Sequence, residues 1–235
     1  MNRADLLQLP IPDRRAAGQA LASLLLSYKR RPDTIVLALP RGGVPVAYEV
    51  AMALELRLDL MTVRKLGVPF HAELAMGAIA SGGVRVLNRD VVNMHGIDDA
   101  TLDEVAQREQ LELHRRERVY RGDHALPDLR GQQVILVDDG LATGATMRAA
   151  VQAVRSQGAA RIVIAIPVAP SDTLAELRDE VDEVICPFTP EFFSAIGRWY
   201  MDFSQITDQQ VLDLLQRAWQ RTLQREVSDA PAAKH

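Results

Sequence analysis

VILVDDGLATGATM, residues 134–147, is an apolar run that stops on two adjacent carboxylates, Asp138 and Asp139, and then turns into small residues. Val134 to Val137 carry no polar interruption, the pattern of a short strand buried on both faces. Adjacent carboxylates at the end of such a strand repel each other and lose hydration, so the arrangement needs a ligand that rewards it. The loop Thr143-Gly144-Ala145-Thr146 lets a backbone approach a ligand closely, and TMRAAVQAVRSQG (146–158) reads as the helix that follows.

Outward from this stretch, strand and helix alternate. TIVLAL (34–39), LDLMTV (58–63) and segments at 133–137, 161–166 and 181–185 read as strands. Asp13 caps a helix with Ala17, Ala20, Leu21, Leu24, Leu25 and Tyr28 on its apolar face, and VPVAYEVAMALEL reads as another helix. RKLGVPFHAELAMG (64–77) reads as a loop, and GAIA with VRVLN around Ser81-Gly82-Gly83 as a small hairpin. The segment from Asp98 to Tyr120 is a long charged helix. The predicted class is α/β, a mainly parallel twisted sheet with helices on both faces. Ligands of such sheets bind beyond the carboxyl ends of the strands, where LPRGG, VRKLG and VDDGLATGAT all fall.

The last quarter differs. FTPEFFSAIGRWYMDF (188–203) holds six of the eleven aromatic residues, and a final amphipathic helix starts near Asp208. The expected organisation is a core over 1–186 that includes the N-terminal helix, a small C-terminal hood with the terminal helix over 187–228, and a frayed tail over 229–235.

Composition narrows the function classes. With 235 residues, 48% hydrophobic and 25% charged, the chain can bury a full core. A net charge of −4 argues against a nucleic-acid surface, and the arginines of HRRERVYR (114–121) share their helix with Glu104, Glu109, Glu112 and Glu117. The single cysteine, Cys186, permits no internal disulfide, and the histidines show no metal-ligand spacing. MNRADLLQLPIPDRR lacks the apolar segment of a secretory signal, and no apolar run nears membrane-spanning length, so a cytoplasmic protein without membrane contact is expected. No G-x-S-x-G elbow, P-loop lysine or G-x-G-x-x-G is present.

The chemistry of the opening loop can be read from its residue types. Free N–H groups at a helix start, with the hydroxyls of Thr143 and Thr146, form a monophosphate cradle that needs no lysine. The acids lie a short way along the same ligand, and carboxylates accept well from the paired donors of a vicinal diol. A ribose 5-phosphate satisfies both: phosphate on residues 142–146, 2- and 3-hydroxyls on Asp138 and Asp139.

VILVDDGLATGAT resembles the motif that binds 5-phosphoribosyl 1-diphosphate (PRPP) in type I phosphoribosyltransferases, and the resemblance extends more weakly over residues 34–203. It implies a phosphoribosyltransferase-like fold and an enzyme of nucleotide salvage, transferring ribose 5-phosphate from PRPP to a nitrogenous acceptor with release of diphosphate. By that resemblance Asp138 and Asp139 hold the ribose, and Ala142, Thr143, Gly144, Ala145 and Thr146 hold its phosphate. Arg41, Gly42 and Gly43 of PRGG occupy the diphosphate-binding place, where the family often has a non-proline cis peptide, here expected at Arg41–Gly42. Arg64 and Lys65 would face the diphosphate as catalytic cations and lead into a mobile loop. Mg²⁺ would arrive chelated by PRPP, with no dedicated protein cage and with Asp138 and Asp139 the carboxylates nearest to it. A homodimer is implied by the same analogy.

The acceptor, a nucleobase by the resemblance, stays open in its identity. Where the hypoxanthine–guanine type carries an acid before Thr-Gly, this chain has Ala142. Phe193, Gly197 and Tyr200 nevertheless have about the spacing of the purine-type hood, so Phe193, Trp199 and Tyr200 are the residues that would meet a base. The same aromatics also suit core packing or a subunit interface. The functional alternative, also represented in the family, is a non-catalytic regulatory protein that senses PRPP or a nucleotide on the same fold.

Overall fold

The computed structural model describes residues 7–229; the outer part of the predicted frayed tail, residues 230–235, lies outside them. The chain runs α1 (Arg14–Leu24), β1 (Thr34–Ala38), α2 (Gly43–Leu54), β2 (Arg57–Leu60), β3 (Val63–Val68), β4 (His71–Ala80) and β5 (Val84–Leu87). It continues through α3 (Arg89–Met94), α4 (Asp99–Arg121), β6 (Gln133–Val137), α5 (Ala145–Ser156), β7 (Arg161–Ala165), α6 (Ser171–Arg178), β8 (Glu183–Ile185) and α7 (Asp208–Asp229). Five strands form a wholly parallel sheet in the order β2-β1-β6-β7-β8. Its central strands are apolar without alternation because both faces are covered: every residue of β1 and β6 is buried.

One face packs against α1, α2 and α7 through Val36, Ala38, Ile135 and Val137, with Leu21, Val50, Leu54 and Leu215 opposite. The other face packs Ile35, Leu37, Val134 and Leu136 against Met147, Ala150 and Val151 of α5 and Leu174 and Leu177 of α6. The register Ala38↔Val137 brings β1 and β6 to an end at the same level, so the loops that follow them meet side by side. That is the carboxyl edge on which a ligand is expected.

The segment 64–77 is not a loop. Residues 63–87 form a separate antiparallel sheet, β3-β4-β5, in which the predicted small hairpin is the β4–β5 turn. Leu66, Val68, Met76 and Ile79 bury one face of this arm against Val92, Leu102, Val105 and Leu113 of α3 and α4. Gly67, Pro69 and the charged Arg64 and Lys65 interrupt the strand pattern in the sequence, and the register shifts twice around Gly67. Phe70, at the turn between β3 and β4, is fully exposed with φ of 66°.

Two features fix the ends of the chain to this frame. α7 lies back along α2 and β2, burying Val211, Leu215 and Ala218, with the Trp219 indole N–H donating to Leu58 O at 3.0 Å. α1 begins at Asp13, whose carboxylate accepts from the Ala16 N–H, and it crosses α2 so tightly at Gly18 that an added Cβ would lie 2.5 Å from Val46 O and 2.7 Å from Glu49 Cβ. Gly18→Ala should therefore push the two helices apart and lower the unfolding free energy by about 1–3 kcal/mol, as overpacked sites do. Urea denaturation of this variant measures it; an unchanged midpoint would mean that the crossing is not tightly seated.

Candidate functional site

The carboxyl ends of β1 and β6 are joined almost backbone to backbone. A Cβ on Gly43 would lie 2.7 Å from Val137 O and 2.9 Å from Asp138 Cα, and one on Gly42 would lie 2.0 Å from Asp139 Oδ2. Gly42 has an ordinary helical φ of −60°, so it is room, not backbone freedom, that the two glycines supply. The chain enters this loop through a cis peptide at Pro40–Arg41, one bond earlier than the Arg41–Gly42 position expected from the sequence.

Asp138 and Asp139 sit just past β6, and they have different surroundings. The Asp138 carboxylate accepts from the Asp139 N–H at 2.8 Å, and burial, followed by the neighbouring Asp139 charge, holds its pKa well above the usual carboxylate range. Asp139 is buried, and its Oδ2 accepts from Arg14 Nε at 2.8 Å. Its main-chain carbonyl accepts from the Tyr200 hydroxyl at 2.6 Å. Burial and the Asp139 charge together push the Tyr200 phenol upward, so it stays a neutral donor at physiological pH.

The next turn is open. Ala142, Thr143, Ala145 and Thr146 are exposed, and Gly144 (φ 71°) starts α5 without a side-chain cap hydrogen bond to its first N–H groups. The Thr173 hydroxyl donates to Ala142 O at 2.8 Å and ties this loop to α6. The residues predicted for the phosphate thus share one turn, a few residues from Asp138. Such a turn favours an anion through its N–H groups and the positive end of the helix dipole.

The predicted cations are spread more widely. Lys65 lines a cavity of about 530 Å³ together with Ala145 and Thr146, so the arm brings it to the same cavity as the start of α5. Arg64, on the opposite face of the same strand, gives its Nη2 and Nε to Glu109 of α4 at 2.6 and 3.0 Å. Arg41 turns toward Asp208 at 3.7 Å and lines a separate cavity of about 210 Å³ with Arg115, Arg116 and Tyr120. Among the described residues no three His, Cys, Asp or Glu side chains converge as a metal site.

The hood aromatics have neighbours of their own. Trp199 meets Phe188 edge to face at 5.0 Å, and its indole nitrogen is buried without an acceptor among the described residues. Tyr200 packs on Phe203, and Phe193 is partly buried against the core, whereas Phe192 is 83% exposed. Arg14 was missed at the level of sequence. Its position, three before Ala17 and seven before Leu21, lies on the buried stripe of α1, and a charge on such a stripe is the signal that would have found it.

Comparison with known proteins shows the family. The model of the phosphoribosyl transferase domain matches residues 10–203. Two Mycobacterium tuberculosis proteins, from strains CDC 1551 / Oshkosh and ATCC 25618 / H37Rv, each carry the name "Putative phosphoribosyl transferase" and are 47% identical over 221 residues, 94% of this chain and 49% of theirs. The chain therefore spans about half the length of these curated relatives. The crystal structure of TT1426 from Thermus thermophilus is 40% identical, covers 87% of this chain and 97% of its own, and superposes with a TM-score of 0.79.

The contact between the two loops makes a direct prediction. Gly42→Ala places a methyl group against the Asp139 carboxylate and should cost about 1–3 kcal/mol, because a buried charge-assisted bond must shift to admit it. Thermal unfolding of Gly42→Ala against the wild type measures it; because Gly42 has a φ of −60° that alanine adopts freely, a fall in midpoint reports the crowding, and an unchanged midpoint would mean that the loop gives way without cost.

Proposed function

The chain belongs to the phosphoribosyl transferase family, and we propose that it transfers ribose 5-phosphate from PRPP to a nitrogenous acceptor of the nucleobase class, releasing diphosphate. The observation that carries this reading is the placing of the open α5 turn directly after Asp138 and Asp139 at the end of a central strand. The 5-phosphate would occupy residues 142–146, and the ribose diol would lie over the acid pair. The glycine loop after β1 would leave the diphosphate room to approach the backbone at Gly42 and Gly43.

In the reaction the bond between C1 and the diphosphate oxygen breaks and the electron pair leaves with the diphosphate. The acceptor nitrogen then bonds C1 and gives up its proton. Charge grows on the leaving group, so a positioned cation accelerates the step by stabilising that charge as it forms. Lys65, which lines a cavity with Ala145 and Thr146, would supply this charge from the arm. Mg²⁺, when bound to the diphosphate, would supply further neutralising charge. No acid stands at Ala142 to exchange a proton with a purine, so the acceptor proton would pass to solvent or to a group of the hood.

A second reading, a PRPP- or nucleotide-sensing protein without turnover, is favoured by one observation. Arg64 and Arg41, two of the cations expected at the diphosphate, are engaged by Glu109 and Asp208. The family's homodimer would find apolar surface at Phe192 and Met201 beside the hood. Among the described residues no helix is long and apolar enough to cross a membrane.

Phosphorus NMR of PRPP and Mg²⁺ with catalytic protein and a pool of bases separates the readings. Diphosphate that grows only with the pool establishes transfer, and omitting bases singly identifies the acceptor. PRPP signals that broaden without diphosphate favour the sensor, and sharp, unchanged signals remove both. Asp138→Asn is expected to weaken PRPP binding more than tenfold. Lys65→Ala should lower kcat more than it raises KM, since its charge is needed most as the leaving group forms.

A further inference from the structure

We propose that the molecule carries a second anion site, at the amino ends of β1 and β2, which takes a short polyphosphate chain, free or carried on a nucleoside. This site stands apart from the phosphoribosyl reading above and does not rest on it.

The main sheet is wholly parallel, so the edge where its strands begin lies opposite the edge that holds the acid pair. A cavity of about 480 Å³ opens at that edge, between the starts of β1 and β2 and the latter part of α7. Four guanidinium groups line it: Arg30 and Arg31 ahead of β1, Arg57 as the first residue of β2, and Arg225 from α7. The one carboxylate in its wall is Glu55. A concave surface lined by one sign of charge concentrates the opposite sign, and this one is cationic in a chain whose net charge is −4.

Local pairing accounts for part of that charge. Glu55, the C-cap of α2, is shared by Arg30 at 2.9 Å, Lys29 at 3.5 Å and Arg225 at 3.7 Å. Arg225 Nη1 also donates to Glu55 O at 2.6 Å and so closes the carbonyl end of α2. Arg31 reaches Asp33, which is not part of the cavity wall, at 3.5 Å.

Arg57 has no such balance. It is half-buried, and its Nη2 donates at 2.8 Å to Gln132 Oε1, a neutral amide oxygen. Among the described residues no carboxylate lies within ion-pair distance of it. A guanidinium has five N–H donors in a rigid fork and bonds more strongly to a charged oxygen than to an amide. Phosphoryl oxygens match that fork two at a time, which a lysine in the same place could not exploit. Two or three linked phosphoryl groups also carry enough negative charge to offset the cations that Glu55 leaves unbalanced, and the cavity is of small-molecule size.

The test titrates the full chain with inorganic tripolyphosphate by calorimetry, without added metal and at about 0.15 M salt, where diffuse surface attraction is largely screened. Wild type should bind at one site, and Arg57→Gln should weaken it at least tenfold. Arg57→Lys should recover only part of the loss, because a point charge replaces a fork. Arg108→Gln, the same change of charge on an exposed arginine of α4, should stay within twofold of wild type. No binding by wild type, or equal losses in Arg57→Gln and Arg108→Gln, overturns the inference. Ribose 5-phosphate as competitor locates the site: undisturbed tripolyphosphate binding supports it, and displacement would move the anion to the turn before α5 and refute it. Melting temperatures are compared first. Should Arg57→Gln fail to fold, Arg31→Gln combined with Arg225→Gln supplies the comparison, where a tenfold loss supports the site and an unchanged affinity refutes it. A nucleoside triphosphate in the same titration assigns the source. Affinity tenfold tighter than tripolyphosphate, still lost in Arg57→Gln, supports a nucleotide ligand, and equal affinity supports recognition of the phosphoryl chain alone.

Discussion

The buried pair of Arg14 and Asp139 is the contact through which the separate parts of this molecule hold each other in place. A carboxylate removed from water at the end of a buried strand is costly unless a cation and several hydrogen bonds replace its hydration. Here a guanidinium from the N-terminal helix supplies the charge, and the neighbouring loop comes close only because Gly42 has no side chain. The helix, in turn, can present Arg14 at this depth because Gly18 lets it settle onto α2. The hood is held by the same pair through Ser204, Phe203 and Tyr200. Small residues at two close approaches and one ion pair thus determine where the acid pair points.

A contrast runs between the rigid and the open halves of the site. Asp139 is buried, whereas Ala142, Thr143, Ala145 and Thr146 in the next turn are exposed. An exposed helix start can accept an anion with little rearrangement, and the sheet end beneath it fixes where that helix start lies relative to the carboxylates. The antiparallel arm then adds Lys65 to this side, while the opposite face of the same strand sends Arg64 to Glu109. Alternation of side chains along a strand is the reason that two adjacent cations serve different partners.

A second buried pair supports the neighbouring strand end. Arg121, at the end of α4, lies 2.5 Å from Asp59 and donates to Leu60 O, where β2 gives way to the arm. Burial raises the Asp59 carboxyl above its usual range even with that cation beside it, so desolvation outweighs the attraction there. Stability linked to Asp59 is then greatest at acid pH, and it declines as pH rises through the elevated pKa. The arm is anchored by side chains far from it in sequence, which is why no local pattern announced it.

The parallel sheet, the place of the acid pair and the small-residue turn that follows it are legible in the order of the amino acids. These rest on local signals: continuous apolar runs, glycine and threonine in a short loop, and the helical period beyond. Tertiary structure alone decided how those residues are used. The antiparallel arm replaced an expected loop because its side chains find partners in elements distant in sequence, α3 and α4 on one face and α5 on the other. The two glycines after β1 answered to a strand 90 residues away rather than to a turn of their own. Arg14, 125 residues from Asp139, decided that the two acids are not equivalent. A one-dimensional pattern shows which side chains are present and which way a local element turns them, but the partner of a buried charge is chosen by packing between distant segments, and that choice exists only once the chain has folded.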